Sequence, residues 1–100
     1  MNFRFHPDAE EELSDAVEYY DDKANGLGRE FALEVYATVL RSAAFPKTWP
    51  VLEGRVRRSL IRRFPYAVLY AESGGGIFVL AVMHQRRKPG YWKNRQVASP

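Results

Sequence analysis

The residues best equipped for chemistry crowd one stretch near the end of the chain: His84, Arg86, Arg87, Tyr91, Trp92 and Arg95, with Arg57 and Arg58 further upstream. Guanidinium groups set side by side hold phosphate or carboxylate oxygens. An imidazole can move a proton near neutral pH, although a histidine ending a strand also serves as a plain hydrogen-bonding group. Tyr91 and Trp92 can stack on a ligand or cover the end of a sheet. The two histidines lack acids at ligand spacing and the chain has no cysteine, so neither a metal site nor a thiolate is expected. No cofactor motif appears, and Ser73–Gly76 is followed by strand-like residues rather than by the helix a phosphate loop needs.

Charge gives this stretch a direction. Residues 1–50 carry five Lys and Arg against ten Asp and Glu, whereas residues 51–100 carry ten against two. Beyond Glu53 the only acid is Glu72, facing ten basic side chains. Strand-end arginines beside other arginines repel unless an anion compensates them, so Arg57 and Arg87 point to a polyanion or an acidic protein partner. Pairing with the acidic first half of the same molecule is the competing explanation.

The elements that must position these groups follow from periodicity. At 100 residues and 46% hydrophobic content the chain is expected to form one folded domain. Asn2–His6 reads as a short strand, and Pro7 suits the first position of a helix whose first turn is acidic. Ala9, Leu13, Ala16, Val17 and Tyr20 recur at helical spacing, predicting a helix over Pro7–Ala24 that Asn25, Gly26 and Gly28 end. A second helix is expected over Arg29–Ala44, stopped by Pro46. It carries two apolar stripes, Leu33-Tyr36-Ala37-Leu40-Ala44 and Phe31-Val35-Val39-Ala43, so both sides need cover, from the first helix, the sheet or a partner chain. Pro46–Gly54 reads as an irregular connection. Strands are expected over Arg55–Arg63, Tyr66–Glu72 and Ile77–His84, the last two joined by a glycine-rich reversal. Ile77–Met83 is apolar at consecutive positions and is expected at the sheet's centre, with the arginine-rich Arg55 strand nearer an edge. The expected class is α+β in the order β-α-α-β-β-β, a helical hairpin on a mainly antiparallel sheet.

That order, with PDAEEEL, Tyr19-Tyr20, Gly28-Arg29-Glu30-Phe31, Pro46, Arg57, Phe64-Pro65-Tyr66, Tyr70, Val82-Met83-His84-Gln85-Arg86-Arg87 and Tyr91-Trp92-Lys93-Asn94-Arg95, resembles the RelE/ParE superfamily of type II toxin–antitoxin systems. The succession FPY…Y…AVxHxxR…YWxxR resembles the ParE branch, whose members are often labelled plasmid stabilisation proteins. The resemblance implies a small cytoplasmic toxin neutralised by a cognate antitoxin, ParD-like and of ribbon-helix-helix type, in a toxin–antitoxin hetero-oligomer. The N-terminus MNFRFHPDAEEEL has neither a basic lead nor an apolar run, and no membrane segment is expected.

Within the superfamily, ParE-type members are associated with poisoning DNA gyrase and RelE-type members with cutting messenger RNA on the ribosome. Cleavage at a 2′-hydroxyl needs a base, an acid and cations for the phosphorane charge. Arg58, His84, Arg87 and Tyr91 would carry those roles, with Arg57 and Arg86 assisting. The RelE pattern, however, places a basic residue where this chain has Ala67, and a second one where it has Leu60. ParE-type action without catalysis is therefore favoured, with the ribosome-dependent endoribonuclease as the alternative. On that reading Arg57, Arg86, Arg87, Tyr91, Trp92 and Arg95 meet the target. Phe31, Val35, Val39, Arg57 and Arg58 meet the antitoxin, whose acids are expected at Arg57, Arg58 or Arg87.

Overall fold

In the computed structural model, which describes residues 2–95, β1 (Phe3–Phe5) leads into α1 (Pro7–Lys23) and α2 (Leu27–Ala44), followed by β2 (Val51–Glu53), β3 (Val56–Leu60), β4 (Tyr66–Ser73) and β5 (Gly76–His84). His6 caps α1: its backbone is extended, its Nδ1 accepts the Asp8 N–H at 3.0 Å, and Pro7 begins the helix. Gly26 at φ 85° lets the chain reverse directly into α2, which therefore starts at Leu27, two residues ahead of the expected Arg29. Gly28 brings the helices together, because a Cβ there would lie 2.3 Å from the Val17 carbonyl oxygen.

The sheet order is β1-β5-β4-β3-β2, with β1 parallel to β5 and every other pair antiparallel. The α+β class and the hairpin-on-sheet architecture hold, with one strand added. Val51–Glu53, expected to be irregular, pairs with β3 as an exposed edge strand. Three residues exposed on both faces leave no periodicity to read. The arginine-rich β3 consequently sits one place in from the edge, and ends at Leu60 rather than Arg63 because Arg63 turns into the left-handed region at φ 70°. Ile77–Met83 is interior, as expected of its unbroken apolar run, but β4 holds the middle position.

The sheet buries side chains on both faces. Phe31, Val35 and Val39 of α2 and Ala9, Leu13 and Ala16 of α1 pack with Val68, Tyr70, Ile77, Val79 and Val82 on the helical face. Each buried Val, Leu, Ile or Phe among them contributes on the order of 1.5–3 kcal/mol by leaving water. The opposite face gathers Val56, Ala67, Leu69, Ala71, Phe78, Leu80 and Ala81 beneath Trp92. Leu69 faces Ala81 while Tyr70 faces Val79, so Leu80 is an extra residue on β5. This bulge shifts the alternation of everything beyond it. No helix among the described residues is long and apolar enough to cross a membrane.

Candidate functional site

The site begins with a strand that is too short. β1 covers β5 only at Ile77–Val79, and the His6 N–H closes the ladder on the Val79 carbonyl at 2.8 Å. Past that point the backbone edge of β5 needs other partners. Glu12 of α1 and Arg95 supply them. The Glu12 carboxylate accepts the Val82 N–H at 3.0 Å, and the Arg95 guanidinium donates to the Leu80 carbonyl at 2.9 Å. Two further bonds of 2.9 Å join the guanidinium to the two carboxylate oxygens. Tyr91 donates its hydroxyl to Glu12 at 2.7 Å. Burial, and then the hydrogen bond to Glu12, push the Tyr91 phenol well above its usual range, while the hydrogen bond to Glu12 raises Arg95. Residues 91–95 are thereby fastened across the end of the sheet.

These bonds decide which expected groups are available. Arg95 is 10% exposed and committed to Glu12 and Leu80. Trp92 is 6% exposed, its ring packed on the far face of the sheet with Val56, Leu69 and Leu80. Phe31, Val35 and Val39 are fully buried and offer no surface to a partner while the fold is intact. The stripe of α2 left in solvent is the other one, Leu33, Tyr36 and Leu40, with Phe3 and Phe5 set 6.3 and 6.0 Å from the Tyr36 ring. Sequence reading does not single out Glu12. Its signal is positional: a carboxylate between Ala9, Leu13 and Ala16 on the buried face of α1.

Part of the basic excess is absorbed internally. Arg57 is half-buried and donates to the carbonyls of Trp49 at 2.7 Å and Lys47 at 3.3 Å. Arg63 pairs with Glu30 at 2.6 Å, Lys93 with Glu53 at 3.0 Å, and Arg55 donates to the Glu72 carbonyl. Among the described residues Arg58, Arg62, Arg86, Arg87 and Lys88 are exposed and form no ion pair. Arg87 lies over the Tyr91 ring, its guanidinium carbon 3.9 Å from the centroid.

Two of the cavities that Arg87 lines lie on opposite faces of the sheet. One of about 270 Å³ opens on the far face between Arg58, Met83, Trp92 and Lys93. The other, about 290 Å³, lies on the helical side between Asp15, Tyr19, Tyr66 and His84. Met83 and His84, adjacent in β5, point to opposite faces, so Arg58 and His84 are divided by the sheet. His84 accepts the Arg86 N–H on Nδ1 at 3.0 Å, which leaves the neutral ring's proton on Nε2. The nitrogen free to meet a ligand is therefore a donor. Among the described residues no group of three or more His, Asp or Glu is arranged to hold a metal ion.

Comparison with known proteins agrees with this architecture. The family model described as ParE toxin of type II toxin-antitoxin system, parDE, matches residues 3–89. Toxin ParE2 of Mycobacterium tuberculosis, from strains CDC 1551 / Oshkosh and ATCC 25618 / H37Rv, is 32% identical over 87 residues, spanning 86% of this chain and 83% of that protein. The solved chromosomal ParDE TA system from P. aeruginosa superposes with a TM-score of 0.70 at 17% identity, covering 84% of this chain and 95% of that one, a likeness of fold.

Proposed function

The chain belongs to the ParE toxin family of type II toxin–antitoxin systems, and from that premise we propose that it inhibits DNA gyrase by surface contact, without catalysis, and is neutralised by a cognate antitoxin. One observation carries the non-catalytic reading: the groups a ribonuclease would need do not converge. Arg58 and His84 line different cavities, Tyr91 is turned inward to Glu12, and the open nitrogen of His84 carries a proton. On the far face, Leu60 stands opposite Ala67 and Ala67 opposite Met83, an apolar row where the RelE pattern places cations. What remains exposed is a cationic surface of Arg58, Arg86 and Arg87, suited to an acidic protein face.

The antitoxin is proposed to be ParD-like, with a ribbon-helix-helix portion and a segment that folds onto the toxin in a hetero-oligomer. Leu33, Tyr36 and Leu40 would take its apolar residues, and Arg58 or Arg87 its acids. The complex would act in the cytoplasm and stabilise the replicon that encodes it. Purified toxin should block gyrase supercoiling and leave ribosome-bound messenger RNA intact, and adding the antitoxin should restore supercoiling. Cutting of that RNA by the wild type, lost in a folded Arg87→Ala variant, would replace this reading with the endoribonuclease.

A further inference from the structure

We propose that Glu12 is a positioning residue for Arg87, acting through Tyr91; this rests on the reading that Arg87 touches the toxin's target. The chain of contacts is continuous. The Glu12 carboxylate is itself held by the Val82 N–H and by two bonds from Arg95. It fixes the Tyr91 hydroxyl at 2.7 Å, and the ring so anchored carries the Arg87 guanidinium at 3.9 Å. The same ring has the Arg95 guanidinium 5.0 Å from its centroid. Tyr91 thus has two cations against its ring, one paired and largely buried, the other exposed and unpaired.

The arrangement answers an electrostatic problem. Arg87 borders a cleft that also contains Asp8, Glu11, Glu12 and Asp15 of α1. A free arginine there would turn to those carboxylates and neutralise itself. Instead Arg87 makes no ion pair, because Glu12 is already saturated by Arg95 and because the Tyr91 face offers a competing seat. An arginine held extended in advance also loses less conformational freedom on binding than a mobile one. Glu12 makes no contact with the target in this scheme. The relationship lies partly beyond residues 3–89, where the family match ends.

Two measurements on the full chain test it. In the free protein, side-chain protons of Arg87 should show an upfield ring-current shift by NMR, reduced in Glu12→Gln and Tyr91→Phe and absent in Tyr91→Leu. In gyrase inhibition, Tyr91→Leu should weaken the toxin roughly fivefold, the scale of one exposed cation–π contact, and Arg87→Ala, which also loses the target contact, at least as much. Tyr91→Leu should add nothing in an Arg87→Ala background. Tyr91→Phe keeps the packing, so it reports on anchoring even if Glu12→Gln does not fold. A wild-type spectrum without the ring-current shift, or losses that multiply in the double variant, would overturn the proposal. If the wild type leaves gyrase untouched, the target reading fails while the NMR arm still decides whether Glu12 positions Arg87.

Discussion

Arg95 grips Glu12 through two parallel hydrogen bonds of 2.9 Å each, a fork closed between residues 83 positions apart. Such bidentate pairs are the stronger kind of ion pair, yet taking both charges from water is costly, so pairing alone does not explain them. The backbone does. β1 stops at Phe5 and β5 continues to His84, leaving an edge whose Leu80 carbonyl and Val82 N–H the pair satisfies. The two side chains stand in for a missing length of strand.

Breaking this pair should therefore be expensive, and removing both partners should not repair it. Glu12→Ala or Arg95→Ala is expected to cost about 3 kcal/mol, the lower end for an interrupted buried pair, since both side chains keep slight exposure. A Glu12→Leu/Arg95→Met double variant still orphans two strand-edge groups at about 1–3 kcal/mol each. Urea unfolding should find it close to the single variants. Recovery to wild-type stability would show that the pair is not needed to cap the edge.

Stability should fall in alkali for a specific reason. Burial holds the phenols of Tyr20, Tyr66, Tyr70 and Tyr91 above their ordinary 10.0, Tyr91 the furthest of them. The folded state thus keeps protons that the unfolded chain surrenders. That contribution is complete below about pH 10 and is lost as pH rises beyond it toward the folded-state values. Urea midpoints followed from about pH 8 to about pH 11 should decline, and less steeply in Tyr91→Phe. Equal slopes in the two proteins would place the titration elsewhere.

The two stripes of α2 should separate stability from partner binding. Leu33→Ser with Leu40→Ser changes groups that are 57% and 43% exposed, so unfolding free energy should move by no more than about 0.5 kcal/mol per site. Antitoxin affinity, read by calorimetry, should drop at least about tenfold, since central apolar anchors dominate such interfaces. Val35→Ala, on the buried stripe, should instead cost about 2 kcal/mol of stability. Unchanged affinity in the serine variant would move the antitoxin off this face.

These contrasts mark what the sequence could and could not convey. Helical spacing and caps disclosed both helices, and the apolar run of Ile77–Met83 disclosed an interior strand. Two stripes on α2 were equally visible, but nothing local says which of them meets the sheet. Sidedness near the site was hidden more deeply. The extra residue Leu80 resets the alternation of β5, so Met83 and His84 take faces that strict counting from Ile77 would exchange. Trp92 and Arg95 had the right types for a ligand surface, yet long-range packing turned one onto the sheet and the other onto Glu12.

His84 offers the sharpest separation of scaffold from chemistry. Its Nδ1 accepts the N–H of Arg86, two residues on, which is the bond an asparagine oxygen makes in a turn. His84→Asn should keep that turn, hold Arg86 and Arg87 in place, and retain growth inhibition in cells lacking antitoxin. His84→Ala loses the acceptor and should cost about 1 kcal/mol, with toxicity falling only as far as folding does. An imidazole acting as base or acid predicts the opposite, because asparagine cannot exchange a proton near neutral pH. A folded His84→Asn variant that is inert in cells, and whose wild type cuts ribosome-bound messenger RNA, would return catalysis to this site.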